Sequence, residues 1–194
     1  MGRVFSHMTM SLDGFIANPE DGIDELFEWY DDGEVEVESA NPDIRLSVDS
    51  ASAEVLRGLI DVGALISGRR LFDLTDGWGD QHPVGAPVVV VSHSVPENAA
   101  ERWPRTTFVG DVTTAVELAR EIAGDGNVTI ASASITQQAL DLGLVDEVCV
   151  SLVPVLFGEG IPYFAKLDRG HLLLEDPIVV QGRRALHLRF AVRR

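Results

Sequence analysis

One cysteine and one lysine stand in a chain of 194 residues. With Cys149 alone, an internal disulfide and a thiolate-held zinc are excluded. Flanked by Val148 and Val150, Cys149 is expected to be a buried core residue rather than a reactive one. Apart from Lys166 the strong bases are all Arg, a bias of the kind GC-rich coding produces and without functional meaning by itself. No stretch approaches the run of about 20 apolar residues that spans a bilayer. Met1-Gly2-Arg3 leads into an alternating segment rather than the apolar run of a signal peptide, so a cytoplasmic location is expected. Positive charge is also scarce: 15 Lys and Arg face 31 Asp and Glu, a net charge of −16. Nucleic acid and anionic membranes are therefore poor partners.

Several catalytic patterns are missing as well. There is no P-loop and no G-x-S-x-G elbow, and Tyr163 lies three residues from Lys166 rather than the four of a short-chain dehydrogenase pair. The five histidines show no i, i+4 pair and the acidic residues form no calcium loop, so no metal site is expected.

What is present fits one domain over residues 1–194. Residues 20–54 hold thirteen carboxylates against Arg45 alone, so most of the negative charge is one segment, expected as a solvated acidic loop and helix face. Residues 3–12 alternate, with Phe5, His7, Thr9 and Ser11 on one side, and stop at Asp13-Gly14. Asp49 or Ser50 caps a helix carrying Val55, Leu56, Leu59 and Ile60. Ala64-Leu65-Ile66 and the continuous run Val88–Val91 are strands, the second expected to be covered on both faces.

Asp111 caps a second helix, with Val116, Ala119, Ile122 and Ala123 inward and Gly124 as its stop. Val128-Thr129-Ile130 follows, then Ser134-Ile135-Thr136-Gln137 as a capping box opening a third helix. Residues 145–156 form a long strand, and 172–180 with 186–192 an antiparallel pair around Gln181-Gly182. In the last strand Leu186, Leu188, Phe190 and Val192 face away from His187 and Arg189. The pattern is an α/β fold: a mainly parallel sheet flanked by helices, with an antiparallel C-terminal hairpin.

Ligands of such sheets bind beyond the carboxyl ends of the parallel strands. Three segments fall there: Gly68-Arg69-Arg70, Ser92-His93-Ser94 and Ser132-Ala133-Ser134 with Ile135. They offer guanidinium groups, hydroxyls and small residues at a helix start, which together suit a phosphorylated ligand, although each also suits an ordinary turn. Asp13-Gly14 and Phe157-Gly158-Glu159-Gly160 read as turns first. Trp29 and Trp78 cap either a cleft or the core edge.

Ser11-Leu12-Asp13-Gly14-Phe15-Ile16-Ala17, Ser67-Gly68-Arg69-Arg70-Leu71-Phe72, Val88 to Ser94, and Gly143-Leu144-Val145-Asp146-Glu147 running to Pro154-Val155-Leu156-Phe157-Gly158-Glu159-Gly160 share a further property. In this order they resemble the dihydrofolate reductase-like family, and within it the reductase domain of the riboflavin-pathway deaminase-reductase. The resemblance implies a mixed sheet with NADPH across the strand ends and hydride transfer to a C=N bond of a pyrimidine or pterin-like substrate. Gly68, Arg69 and Arg70 would hold phosphates; Ser92, His93 and Ser94 would surround the adenosine 2′-phosphate. Ser132, Ala133, Ser134 and Ile135 would meet the pyrophosphate. Ile16 and Ala17 would meet the nicotinamide amide, and Asp13 would act beside the substrate, its pKa raised by burial if it relays a proton. Trp29, Phe157, Gly158, Glu159 and Gly160 would border the substrate. A homodimer is also implied.

Two departures from the family pattern, Ser132-Ala133 for a glycine pair and Leu71 for a Thr, leave a noncatalytic nucleotide or flavin binder as the alternative. An interaction module using the acidic segment rests on charge alone.

Overall fold

The computed structural model describes residues 2–165 and 167–193, which leaves Lys166 outside. Eight strands form one sheet: β1 (Val4–Ser11), β5 (Ala64–Gly68), β6 (Val88–Val91), β7 (Thr106–Val109), β8 (Val128–Ala131), β9 (Glu147–Val153), β11 (Ile178–Gln181) and β12 (Leu186–Ala191). Their order is β11-β12-β9-β1-β8-β5-β6-β7, parallel from β9 to β7 and antiparallel at β9–β12 and β11–β12. The mainly parallel sheet and C-terminal hairpin read from the sequence are thus present.

Both faces are covered, and β6 shows why an unbroken apolar run is needed. Val89 packs in the cluster with Val116, Ala119 and Ile130, whereas Val88 and Val90 pack with Phe72 and Trp103 on the opposite face. Helices α2 (Ser50–Ile60) and α5 (Val112–Ala123) start where expected: Asp49 accepts from the amides of Ala51 and Ser52, and Asp111 from that of Thr114. Ile122, expected inward, is exposed, because Val112, Ala115, Val116 and Ala119 already fill the sheet-facing stripe.

Helix α6 (Ala133–Asp141) corrects the expected capping box. Its N-cap is Ser132, with no side-chain cap, and Ser134 lies within the first turn. The chain turns directly from β8 into the helix, leaving no residues for a cap at 134. β9 ends at Val153, earlier than expected, since Pro154 supplies no N–H to continue the ladder. Residues 172–177 contribute only the bridge Leu174–Val192. In β12 the most deeply buried side chain is His187.

The acidic segment is not a plain solvated loop. After β2 (Phe15–Ala17), it folds into α1 (Asp24–Phe27), a 3₁₀ turn (Glu28–Asp31) and the hairpin β3 (Val35–Val37) and β4 (Leu46–Val48). Leu26, Trp29, Val37, Leu46 and Val48 form a core cluster with Ala53 and Leu56 of α2. Helices α3 (Arg69–Leu74) and α4 (Ala99–Arg102), a 3₁₀ turn (Asp76–Asp80) and the short β10 (Ile161–Pro162), paired with β2, are the remaining elements among the described residues. Cys149 is buried in β9, and burial pushes its thiol up to about 12.

Candidate active site

Because β1, β8, β5, β6 and β9 run parallel, their carboxyl ends lie along one edge of the sheet. Most segments singled out in the sequence follow one of those ends; β2 and the 3₁₀ turns that carry Trp29 and Trp78 do not.

At the β5–β6 side Gly68 is the last residue of its strand, and a Cβ there would lie 2.7 Å from Ser132 Oγ. The turns after β5 and β8 are therefore in close approach, and glycine is what permits it. Ser132 itself has extended backbone (φ −172°), so the family's glycine is not required there by conformation. Arg69 reaches toward the next turn: its Nη1 donates to Ser94 O (3.0 Å), Ser92 Oγ (3.3 Å) and Ser94 Oγ (3.3 Å), while Nε is held by Asp73 one turn on. Ser92 Oγ in turn donates to Ser94 O at 2.7 Å. Arg69, Ser92 and Ser94 are thus one polar cluster, with His93 exposed within it. Arg70 is elsewhere, in a two-point ion pair with Asp21.

At the β1–β9 side, Gly14 turns the chain with φ +95° and Asp13 receives three hydrogen bonds: Ser11 Oγ at 2.6 Å, Gly158 N at 2.7 Å and Phe157 N at 3.2 Å. Ser11 Oγ also accepts from Phe15 N. The carboxylate ties the turn after β1 to the loop after β9. It is exposed, and the Ser11 hydroxyl, then the Gly158 and Phe157 amides, hold its pKa below the usual carboxylate range. The burial-raised Asp13 that a proton relay would need is not what the fold provides. Gly160 (φ +150°) crosses β2 so closely that a Cβ would sit 2.2 Å from Ala17 O, while Ile16 and Ala17 are buried.

Trp29 floors a cavity of about 220 Å³ walled by Val153, Pro154, Val155, Glu25, Glu28 and Arg184. Its indole N–H donates to Thr9 Oγ1 (3.3 Å), and its ring lies tilted against Tyr30 and meets the edge of His187. Phe157, Gly158, Glu159 and Gly160 continue beyond this wall without lining the cavity. Glu28, Asp31, Asp32 and Arg184 line an adjoining outer hollow. Arg184 was missed by sequence reasoning. Its only signal was the pair Arg183-Arg184 in a hairpin turn, which pairs with Glu34, Asp32 and Glu28 of the acidic segment.

The profile of the RibD C-terminal domain matches residues 3–176. The chain belongs to this family. Among solved structures, a putative riboflavin biosynthesis protein from Shewanella sp. PV-4 is similar over 99% of both chains, at 22% identity and a TM-score of 0.70. Acinetobacter baumannii RibD is similar over all of this chain and 58% of its own, at 17% identity and a TM-score of 0.62. Dihydrofolate reductase from Enterococcus faecalis, in complex with NADP(H), is similar over all of this chain and 98% of its own, at 13% identity and a TM-score of 0.57. No curated protein matches. The fold of the RibD C-terminal domain is therefore dihydrofolate reductase-like, as the sequence resemblance implied.

Proposed function

We propose that this RibD C-terminal domain protein is an NADPH-dependent reductase that delivers a hydride to a C=N bond of a small pyrimidine or pterin-like heterocycle. Family membership and the dihydrofolate reductase-like fold support a reductase-type function. The observation that carries the cofactor reading is the Arg69–Ser92–Ser94 cluster at the ends of adjacent parallel strands.

The residues fit such a cofactor. Arg69 and the Ser94 hydroxyl present a guanidinium and a donor to a phosphate. Gly68 and the uncapped start of α6 at Ser132, Ala133, Ser134 and Ile135 leave backbone N–H groups near the same edge. When bound, NADPH supplies the hydride. Ile16 and Ala17, beside Gly160, offer backbone groups at the nicotinamide end, and Asp13, kept ionised, accepts a hydrogen bond from a substrate N–H or an ordered water. Positioning is then the protein's main contribution.

The substrate end is negative and small. Glu25 and Glu28 line the cavity, Asp31 and Asp32 the hollow outside it, and the guanidinium of Arg184 is already paired with Glu28. A volume of about 220 Å³ lies below the roughly 300–1,000 Å³ of sites for larger ligands. Both features favour a neutral or cationic ring over a phosphorylated ribosyl-pyrimidine.

The second reading, a noncatalytic nucleotide or flavin binder, is favoured by the engagement of Arg70 with Asp21. Titration of purified protein with NADPH, followed by nicotinamide fluorescence and then by cofactor oxidation with reducible heterocycles, separates the two. Binding with turnover supports the reductase, binding without turnover on any heterocycle supports the binder, and no binding at millimolar NADPH sinks the reductase and leaves only a flavin binder, which a flavin titration tests.

A further inference from the structure

Beneath Trp29, four elements contribute polar side chains to one continuous hydrogen-bonded row. His7 Nε2 on β1 lies 2.9 Å from Ser151 Oγ on β9, and Ser151 Oγ lies 2.9 Å from His187 Nδ1 on β12. His187 Nε2 lies 3.0 Å from Ser52 Oγ on α2, and Ser52 Oγ lies 2.7 Å from Asp49 Oδ2 at the helix cap. The β9–β12 register places Ser151 directly opposite His187. Ser52 and Ser151 are 1% exposed and His187 4%, so these groups have only one another to satisfy them. Neither serine is an accessible nucleophile.

We propose that Asp49, acting through Ser52, locks His187 as the neutral Nε2–H tautomer and thereby makes His187 and Asp49 positioning residues for Trp29. The direction follows from counting protons. An ionised carboxylate only accepts, so Ser52 spends its single hydroxyl hydrogen on Asp49. Ser52 Oγ must then accept from His187 Nε2–H. Neutral imidazole has one N–H, so His187 Nδ1 is bare and takes the hydroxyl hydrogen of Ser151. Ser151 Oγ accepts in turn from His7 Nε2–H. Every bond points toward Asp49, with no donor facing a donor and no acceptor facing an acceptor.

The carboxylate end is well anchored, since Asp49 also accepts from the amides of Ala51, Ser52 and Arg183. Partial burial opposes its ionisation, but these bonds outweigh it and bring its pKa to about 2. Desolvation keeps both histidines below their ordinary value, consistent with neutral rings. The locked His187 ring meets Trp29 edge-on at 5.0 Å between centroids, while Thr9 accepts the indole N–H from the other side. The significance for substrate rests on the reading of Trp29 as the floor of the substrate cavity; the tautomer assignment does not.

The test uses the full chain labelled with ¹⁵N-histidine and fluorotryptophan, without cofactor. Long-range ¹H–¹⁵N correlation should show Nε2–H with bare Nδ1 for His187 and for His7. A Nδ1–H His187, or a ring protonated on both nitrogens at neutral pH, overturns the proposal whatever any variant does. Ser52→Ala and Asp49→Ala should each release the His187 tautomer and shift or broaden the Trp29 ¹⁹F resonance, identified by its loss in Trp29→Phe, while those of Trp78 and Trp103 stay. A Trp29 resonance that stays fixed while the His187 tautomer changes refutes the positioning role. Failure here leaves the NADPH titration untouched, and the converse holds.

Discussion

Arg70 and Asp21 meet along two parallel hydrogen bonds, Nε to Oδ1 at 3.0 Å and Nη2 to Oδ2 at 2.7 Å, across 49 residues of sequence. Asp21 is presented in a left-handed conformation (φ 63°) by a tight loop in which Asn18 Oδ1 accepts from Glu20 N and Gly22 N. A guanidinium edge engaged in this way is not free for a cofactor phosphate. Asp21→Asn should therefore tighten NADPH binding a few-fold and steepen its salt dependence, measured by fluorescence titration at two ionic strengths. Unchanged affinity would mean that Arg70 lies outside the phosphate site.

Two half-buried histidines, His7 and His82, tie stability to acid. Desolvation, then the neighbouring His187, lowers His7 from 6.5 to about 3, and desolvation lowers His82 to about 3. Between those values the unfolded chain takes up protons that the folded chain refuses. Stability is thus full above pH 6.5 and declines as pH falls toward 3. Asp49 adds a further loss, beginning below 3.8 and extending toward 2. Urea unfolding at a series of pH values should show the midpoint falling between pH 6.5 and 4, less steeply in His82→Gln. A flat profile over that range would contradict the neutral, desolvated rings.

Gly160→Ala should be among the most damaging single methyl additions. The new Cβ would overlap Ala17 O, which is backbone and cannot swing away, at a φ of +150° that side chains rarely adopt. A loss of about 1–3 kcal/mol is expected by denaturant unfolding. Gly158→Ala, with nothing within 4 Å of the added atom, faces only the cost of its positive φ and should lose less.

We propose a homodimer that uses the C-terminal hairpin. β11 is an edge strand whose Ile178 and Val179 are 64% and 54% exposed, an unpaired apolar edge of the kind a second strand covers. Light scattering should give a dimer mass, and Ile178→Lys a monomer. A monomeric wild type removes the proposal.

The sheet was legible because its central parallel strands are buried on both faces, which a continuous apolar run such as Val88–Val91 suits. The edge strand β7 was missed, being four residues of mixed exposure with no periodicity to find. The acidic segment misled for a related reason. Leu26, Trp29, Val37, Leu46 and Val48 are separated by carboxylates and carried on elements of three or four residues, too short for a repeat to register. Three of its carboxylates, Glu28, Asp32 and Glu34, are met by Arg183 and Arg184, some 150 residues away in sequence. The alternation in β12 placed His187 opposite Leu186 and Leu188, but not inside. That depends on Ser52 and Ser151 arriving from other elements to satisfy its ring. Of the residues expected at an anion site, Arg69, Ser92 and Ser94 came together at the ends of adjacent strands. Arg70 did not, because Asp21 is held by a loop whose geometry no local pattern announces.

Arg69 is proposed to bind a phosphate of NADPH at this strand edge, and comparing wild type with Arg69→Ala by nicotinamide fluorescence tests this most directly. Losing a charge-assisted contact of about 1.5–3 kcal/mol predicts NADPH affinity roughly 10- to 150-fold weaker. The apparent melting temperature without cofactor should barely move, because Arg69 is a surface residue whose partners remain solvated. Equal NADPH affinity in the two proteins, or no NADPH binding to the wild type, would contradict the account.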